Sequence, residues 1–444
     1  MHRSDRYKKI FPAKFNSILT GGALVLALPM LAAADVSRVD AAAKSVEPRV
    51  IEWRRHLHTN PELSNREVKT ADFVAKKLKA LGLEVKTGIA HTGVAALLKG
   101  GKPGKTIALR ADMDALPVTE QTDVPFKSTV TSEFRGEKVG VMHACGHDGH
   151  VAILLGVAEA LTKMKDSLQG QVLFVFQPAE EGPPEGERGG ARLMMEQGLF
   201  DIAKPDAMIG LHLMASLNTG VIGYRPGALM AGSDYFTIIV TGSQTHGSRP
   251  WGGVDPIVVS GQILTGLQTI VSRQIDITHL PAVISVGAIK GGIRFNIIPD
   301  SVEMIGTIRT FDRGMRDDIV KRMQTTASNI AAASGAKAEV KMRNDVSLPP
   351  VVNDDELTNR AVPLFQQLVG KDNVKEISLQ TTAEDFSTFG ERVPSLYFWV
   401  GVTPRDKDPA TVPFNHSPLF YMDEAGLLTG IRAMLSFTTD FLAK

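Results

Sequence analysis

The only cysteine of this 444-residue chain, Cys145, lies in the segment His143-Ala-Cys-Gly-His-Asp-Gly-His150. A lone thiol cannot form a disulfide within the chain, whereas a thiolate with imidazoles at short spacing suits a borderline-soft cation such as zinc. Cys145 and His147 flank Gly146, and a tight turn there can direct both side chains towards one centre. The spacing therefore predicts a metal site.

Further candidate ligands come from three distant segments. Glu180 and Glu181 follow an apolar run, and His212 and His416 are isolated histidines. Taken singly, a cysteine or histidine is more often a core residue, and adjacent acids are usually solvated. Together, those alternatives require several coincidences at loops that are expected to share one site, so we favour the metal site. Five ligands suit two cations with a water between them, and they are Cys145, His147, Glu181, His212 and His416.

The elements that must position these residues alternate between strands and helices. Short apolar runs bounded by glycine predict strands, and helical patterns lie between them. Ser64-Asn-Arg-Glu67 predicts a capping box that begins a helix ending near Leu81. The fold class is therefore α/β, with a mixed, mostly parallel sheet, helices on both faces and the site at the carboxyl ends of strands. The predicted strands are 93–98, 106–110, 171–177 and 207–213, and the predicted helices include 38–58, 149–164 and 189–197.

A second unit is expected to interrupt this domain. From about residue 231 the pattern becomes β-α-β-β-α-β, which predicts an inserted ferredoxin-like α+β lid domain. His416 must then return to the first half of the site. The predicted division is a signal peptide at 1–34, the first half of the catalytic domain at 35–230, an inserted lid and dimerisation domain at 231–345, and the second half of the catalytic domain at 346–444.

The amino terminus has the pattern of a secretory signal. Five basic residues precede position 15, no charge follows until Asp35, and the apolar run ends on Ala32-Ala33-Ala34. Cleavage near Ala34 predicts a periplasmic or secreted protein. The alternative is a retained membrane anchor, but Gly21, Gly22 and Pro29 make the run marginal for spanning a bilayer.

Charge excludes a polyanion partner. The chain carries a formal net charge of +1, and its first 34 residues contribute +4, so the remainder is near −3. No basic block is interleaved with aromatic residues. We therefore expect no nucleic-acid partner, and no membrane partner after the signal has been removed.

Several motifs resemble the dinuclear metallopeptidases of the aminoacylase and carboxypeptidase family. Within that family, the chain is most similar to the amidohydrolase branch of hippurate hydrolases and auxin-conjugate hydrolases. The resemblance runs from about residue 50 to the end of the chain. The matching segments are Arg54-Arg-His-Leu-His-Thr-Asn-Pro-Glu-Leu63, Leu109-Arg-Ala-Asp-Met-Asp-Ala-Leu-Pro117, Met142-His-Ala-Cys-Gly-His-Asp-Gly-His150, Phe176-Gln-Pro-Ala-Glu-Glu-Gly182, Gly210-Leu-His-Leu213 and Ala383-Glu-Asp-Phe386.

The resemblance implies a role for each site residue. The same five residues are the metal ligands, and Glu180 is the general base. Asp114 orients a ligand, and Asp112 and Asp148 are less certain neighbours. His56 and His58 receive no ligand role and are interpreted as structural. In the inserted domain His246 resembles the donor to the oxyanion and Asn296 a substrate-binding residue, while Arg294 is either a partner for a substrate carboxylate or a surface arginine.

The function that follows is an exported, metal-dependent amidohydrolase that cleaves N-acyl amino acids or short peptides with a free carboxylate. The cofactors are two divalent cations, with zinc favoured by the ligand chemistry and manganese, cobalt or nickel allowed by the resemblance. The resemblance also implies a homodimer through the inserted domain, in which the oxyanion histidine of some relatives crosses between subunits. The alternatives are a deacetylase of the N-acetyl-diaminopimelate type and a catalytically silent metal- or ligand-binding protein.

Overall fold

The computed structural model describes the backbone of residues 27–443 and the side chains of residues 37–443. Most of the predicted signal segment, up to residue 26, lies outside the described residues, and cleavage near Ala34 stays a prediction. Within the described range, no helix combines the length and the hydropathy that crossing a bilayer requires. The α-helices described are α1 (Ala27–Thr59), α2 (Val68–Ala80), α3 (His147–Lys163), α4 (Gly190–Glu196), α5 (Leu199–Ile202), α6 (Pro256–Gln274), α7 (Arg313–Ala333), α8 (Asp355–Val369), α9 (Ser387–Gly390) and α10 (Ala425–Ala443).

The strands fall into two main sheets and three short ribbons. In chain order they are β1 (Glu84–Ile89), β2 (Gly93–Lys99), β3 (Lys102–Asp112), β4 (Thr131–Phe134), β5 (Glu137–Gly140), β6 (Gln169–Gln177), β7 (Ala207–Asn218), β8 (Ile222–Tyr224), β9 (Gly227–Met230), β10 (Gly232–Thr241), β11 (Thr245–His246), β12 (Ala282–Gly291), β13 (Ile297–Ile298), β14 (Ser301–Thr310), β15 (Lys337–Met342), β16 (Val351–Asn353), β17 (Val374–Glu376) and β18 (Ser395–Thr403).

Eight strands form the larger sheet, in the order β1-β2-β6-β3-β7-β18-β8-β17. Strands β6, β3, β7 and β18 run parallel at its centre. Antiparallel pairs lie outside them, between β1 and β2, β2 and β6, and β18 and β8. One face packs against α1, α3 and α10 and the other against α4, α5 and α9, because the inner strands are apolar on both faces. The predicted mixed, mostly parallel α/β fold is confirmed.

Four antiparallel strands form the second sheet, in the order β12-β14-β10-β15. Helices α6 and α7 contribute to its separate core, which includes Phe236, Leu267 and Met323. In chain order this unit reads β10-α6-β12-β14-α7-β15. The flanking strands β9 and β16 pair with each other, so the chain enters and leaves the unit at neighbouring points.

The capping box expected at Ser64 and Glu67 is wrong. Helix α2 begins at Val68, and the side chain of Glu67 makes no hydrogen bond to the helix. The carboxylate of Glu62 takes that place, because it accepts hydrogen bonds from the backbone N–H groups of Lys69 and Thr70. The side chains of Ser64 and Glu67 turn instead towards the interior of the larger domain.

Close packing of α1 on α3 depends on Gly156. A Cβ atom at this position would lie 2.4 Å from the Cγ2 atom of Val50, which is nearer than real contacts allow. Valine has little freedom to rotate away in a helix. Gly156 therefore sets the distance between the two helices. This packing also positions His147, because His147 is the first residue of α3.

We expect Gly156→Ala to lower the free energy of unfolding by about 1 kcal/mol or more, because overpacking outweighs the gain in helix propensity. Gly261→Ala in α6 is the matched control, since a Cβ atom there would have no neighbour within 4 Å. That variant is expected to be as stable as the wild type or more stable. Thermal unfolding of both variants measures the difference, and a stabilised Gly156→Ala would contradict the packing argument.

Candidate metal centre

Four separate segments bring the five predicted ligands together. Cys145 precedes α3, and His147 is its first residue. Glu181 lies in the loop after β6, His212 in β7, and His416 in the loop before α10. Their potential ligand atoms form two overlapping groups, and within each group all of these atoms lie within 4.8 Å of one another. The first group contains Cys145, His147 and His212, and the second contains Cys145, Glu181 and His416.

Two residues with positive φ shape this arrangement. Gly146 has a φ of 97° between Cys145 and His147, which lets the chain turn directly into α3. His416 has a φ of 75°, and its backbone N–H donates to the Ala144 carbonyl at 2.8 Å. That hydrogen bond joins the loop of His416 to the Cys145 segment, so an unusual backbone conformation is held next to the centre.

Cys145 lies at the middle of the centre. Its Sγ atom is 3.4 Å from Nε2 of His212 and 3.2 Å from Nε2 of His416. The same Nε2 atom of His416 is 3.1 Å from Oε1 of Glu181. The Cys145 sulfur therefore lies between the two ligand groups, with His212 on one side and His416 and Glu181 on the other.

Backbone carbonyls fix the tautomers of two ligand histidines. Nδ1 of His147 lies 2.8 Å from the Asp114 carbonyl oxygen, and Nδ1 of His212 lies 2.9 Å from that of Leu213. A carbonyl oxygen only accepts, so Nδ1 carries the proton in each ring. In the neutral form, Nε2 then presents a lone pair to the centre, which is how metal-binding histidines are usually oriented.

The centre contains buried polar atoms without well-aligned hydrogen bonds and an excess of acidic groups. Nε2 of His147 and Oε1 of Glu181 are buried and make no well-aligned hydrogen bond, although Oε1 lies 3.1 Å from Nε2 of His416. Burial disfavours a charged His147, yet the carboxylates of Asp112, Asp114 and Glu181 raise its pKa to about 10. Burial and the acidic neighbours also raise the pKa of the Cys145 thiol well above its usual range. Cations at this place would offset the negative charge and allow the thiolate to form, so the residues fit divalent metal ions.

Comparison with known proteins identifies the family. The model of Peptidase family M20/M25/M40 matches residues 108–440. The chain belongs to this peptidase family. It is 43% identical over 410 residues to thermostable carboxypeptidase 2 of Saccharolobus solfataricus, and this match covers 92% of this chain and 99% of that relative. It is 42% identical over 311 residues to an N-acyl-L-amino acid amidohydrolase of Geobacillus stearothermophilus, and this match covers 70% of this chain and 80% of that relative.

A solved structure of the same family supports the metal centre. The Bacillus subtilis YxeP protein, described as a dinuclear metal-binding peptidase of family M20, superposes with a TM-score of 0.76. It shares 35% sequence identity, and the match covers 90% of this chain and 99% of that one. The predicted resemblance to dinuclear metallopeptidases is confirmed. The chain is a hydrolase of the M20 family, and its clustered ligands support two divalent cations.

In this M20 hydrolase, Asp114 holds more than one neighbour. Its carbonyl oxygen binds Nδ1 of His147, and its Oδ1 atom lies 3.3 Å from the same nitrogen. Its Oδ2 atom accepts hydrogen bonds from the hydroxyl of Ser64 at 2.7 Å and from the backbone N–H of Glu181 at 3.0 Å. Asp114 therefore contacts two predicted ligands, one through the main chain and one through the side chain.

A buried network that the sequence analysis missed lies beside Glu180. Arg110, in β3, donates to Asp112 Oδ2 at 2.8 Å and to Glu384 Oε1 at 2.9 Å, and the Tyr397 hydroxyl donates to Glu384 Oε2 at 2.6 Å. Carboxylate oxygens of Asp112, Glu180 and Glu384 lie within 4.8 Å of one another. An arginine within an apolar strand was the available signal, because buried arginines require partners. Burial, followed by the charge of Glu384, raises the pKa of Glu180 well above its usual range.

His150 lies close to the centre but has no free nitrogen. Its Nε2 atom accepts the backbone N–H of Leu213 at 2.9 Å, and its Nδ1 atom lies 2.5 Å from Oδ1 of Asp112. Because an N–H group only donates, Nδ1 carries the proton and binds Asp112. His150 therefore orients the Asp112 carboxylate and leaves no lone pair for a cation.

The three predicted residues of the second unit are not in these groups. His246 is exposed in β11, which pairs with β13, and Arg294 is also exposed. The backbone N–H of Gly247 donates to the Asn296 carbonyl at 2.8 Å, so the His246 and Asn296 segments form one ribbon. Oδ1 of Asn296 is buried without a hydrogen-bond partner.

His58 and Asp148 form a separate buried cluster. Nδ1 of His58 lies 2.8 Å from Oδ2 of Asp148, and Nε2 lies 3.1 Å from Oε1 of Glu120. Arg54 donates to the same Asp148 oxygen at 2.8 Å. Two carboxylates that only accept require a proton on each ring nitrogen. Burial opposes that charge, but Asp148 and Glu120 raise the pKa of His58 above its ordinary value.

We expect each ligand variant to lose the cation of every ligand group to which the mutated residue belongs. Cys145 belongs to both groups, so Cys145→Ala should lose both cations on dialysis, whereas His212→Ala should keep about one per chain. Mass spectrometry of the metals in the purified variants measures this content. His279→Ala, an exposed histidine of the second unit, is the control and should match the wild type. A Cys145→Ala variant with the wild-type content would contradict the shared role of the thiolate.

We also expect the stability contribution of His58 to depend on pH. A raised folded-state pKa stabilises fully below the unfolded value of about 6.5, and this stabilisation is lost as the pH rises through the folded-state pKa. His58→Gln should therefore lower Tm most below pH 6.5, and the difference from the wild type should shrink at higher pH. His56→Gln, on the exposed side of the same helix, is the control. A difference that is constant from pH 5.5 to 9 would show that His58 is not charged.

Proposed function

We propose that this M20 hydrolase is an exported amidohydrolase that cleaves the amide bond of N-acyl amino acids or short peptides with a free carboxylate. The observation that carries the proposal is the carboxylate of Glu180, which adjoins the ligand Glu181 and lies 3.9 Å from Nε2 of His147. The similar carboxypeptidase and N-acyl-L-amino acid amidohydrolase act on bonds of this class by their names. The basic and apolar leader supports export.

Glu180 serves as the general base. Bound divalent cations would polarise the substrate carbonyl and make water more acidic. Glu180 takes the proton from the attacking water and passes it to the leaving nitrogen. A carboxylate with a raised pKa suits both steps, because it binds the proton firmly enough to hold it between them. Glu181 is a metal ligand in this proposal, whereas Glu180 keeps an oxygen free for proton transfer.

His246 supplies the donor for the oxyanion. Its Nδ1 atom accepts the backbone N–H of Ser248 at 3.0 Å, so the neutral ring carries its proton on Nε2. An N–H donor placed at the developing negative charge is what amide hydrolysis requires. Asn296, on the same ribbon, helps to hold the substrate, and the exposed guanidinium of Arg294 pairs with its carboxylate.

The second unit acts as a lid and as the surface of a homodimer. His246 is exposed and is not in the cation groups, and closure of the unit or a partner subunit would bring such a histidine to the substrate. Apolar side chains are strongly exposed on this unit, including Ile293 (98%), Phe295 (94%) and Trp251 (76%). Exposed apolar surface of this kind supports a partner surface, and a second copy of the chain is the partner that we propose.

Zinc is the cation that we propose for both sites. Thiolate and imidazole are ligands that zinc binds well, and the single Cys145 thiolate is common to both groups. Manganese, cobalt and nickel remain compatible with the carboxylate and imidazole ligands. Metal analysis of protein purified without added metal identifies the resident ion, and a zinc content below that of manganese would contradict the choice.

We expect Glu180→Gln to lower kcat about 10²- to 10⁴-fold on hippurate or on the best substrate from a panel of N-acyl amino acids. The metal content should be unchanged, because Glu181 and the other ligands remain. Glu185→Gln is the matched control, since it removes an exposed carboxylate from the same loop. A chelator should abolish wild-type turnover. Wild-type rates in Glu180→Gln would show that another group is the base, and the absence of turnover on the whole panel would contradict the proposed substrate class.

A further inference from the structure

The segment from Ser64 to Glu67 contacts the loop that carries Glu180 and Glu181. Oε1 of Glu67 accepts the backbone N–H of Ala179 at 2.9 Å. Ser64 donates to Asp114, and the same Asp114 oxygen accepts the backbone N–H of Glu181. The loop is therefore held on both sides of Glu180, one residue before it and one residue after it.

The backbone at Ala179 needs such a restraint. Its φ is 53°, in the left-handed region that residues with a Cβ atom rarely adopt. The residue is buried, and the Glu67 carboxylate is the acceptor that satisfies its backbone N–H group. A conformation of this kind persists only where the surroundings hold it. The direction in which Glu180 leaves the backbone depends on this residue.

Glu67 is itself fixed from a third segment of the chain. It is fully buried, and its Oε2 atom accepts the hydroxyl of Thr92 at 2.6 Å. Thr92 follows the turn between β1 and β2, which includes two residues with positive φ, Ala90 and His91. Both carboxylate oxygens of Glu67 are thus occupied, and the side chain connects the start of α2, the β1–β2 turn and the loop after β6.

We propose that Glu67 is a positioning residue for Glu180, since it fixes the left-handed turn at Ala179 and so directs the general base at the cation centre. The assignment rests on the proposed function, in which Glu180 is that base. It gives the Ser-x-x-Glu pattern at 64–67 a role in the active site in place of the helix cap expected from the sequence. Thr92 acts through Glu67 in the same way.

Glutamine should replace Glu67 without loss of the restraint. Burial, followed by the Asp114 carboxylate, raises the pKa of Glu67 to about 7, so the site disfavours the negative charge that glutamine removes. In Glu67→Gln the amide oxygen still accepts the Ala179 N–H group, and the amide nitrogen donates to the hydroxyl of Thr92. Alanine offers neither contact.

The test compares kcat, KM, metal content and Tm for five variants of the metal-loaded full chain. We expect Glu67→Ala to lower kcat about 10²-fold with KM and metal content retained, since a misdirected catalytic group loses rate rather than substrate binding. Glu67→Gln should recover kcat to within about threefold, and Thr92→Val, which frees one oxygen of Glu67, should lose about tenfold. Glu120→Ala is the matched control, because Glu120 is another buried carboxylate that accepts a backbone N–H group and a threonine hydroxyl.

A purely structural role would make Glu67→Ala resemble Glu120→Ala, with a lower Tm and unchanged kcat, and that result would overturn the proposal. If Glu67→Ala does not fold, kcat of Thr92→Val decides, and a wild-type value rejects the assignment. Glu180→Gln separates the two levels of inference. If it is inactive while Glu67→Ala is fully active, only the positioning role fails. If Glu180→Gln is active, the proposed base fails and the role of Glu67 fails with it.

Discussion

A cluster of buried acidic groups next to the ligand histidines is the constraint on which the rest of this structure depends. The carboxylates of Asp112, Glu180, Glu181 and Glu384 lie in one region, and the Arg110 guanidinium, which contacts Asp112 and Glu384, compensates only part of their charge. Uncompensated charge in a protein interior is costly, so this arrangement is stable only with further positive charge. Two divalent cations would supply that charge, and the similar YxeP protein is a dinuclear metal-binding peptidase of the same family.

The fold meets this constraint by bringing rigid elements together at the carboxyl ends of the central strands of the larger sheet. Strands β3 and β6 are parallel neighbours, so Asp112 and the loop of Glu180 emerge at the same end, and β7 adds His212 beside them. The first turn of α3 contributes His147, and two carbonyl groups fix the orientation of the ligand rings. Cys145, Glu181 and His416 come from irregular segments, and hydrogen bonds at Ala144 and Asp114 hold the segments of His416 and Glu181.

The sequence predicts the metal ligands better than it predicts the buried residues that hold the site in place. Cys145 and His147 could be identified because few residue types bind cations and their local spacing is restrictive, and His212 followed from its place at the end of a predicted strand. The strands around them follow from apolar runs bounded by glycine. The roles of Glu67 and Arg110 could not be predicted, because a carboxylate or guanidinium finds its partner only in the folded chain. Glu67 and Ala179 are 112 positions apart, and Arg110 and Glu384 are 274 positions apart. The capping-box pattern was misleading for the same reason, since Glu62 caps the helix from outside that pattern.

The central claim is that one thiolate is shared by two cations. Anomalous diffraction at the absorption edge of the bound metal, on crystals of the metal-loaded protein, tests it most directly. We predict two anomalous peaks, separated by about 3.5–4 Å as in other two-metal sites, with Sγ of Cys145 within bonding distance of both. A single peak, or a pair of peaks with the sulfur bound to neither, would contradict the account.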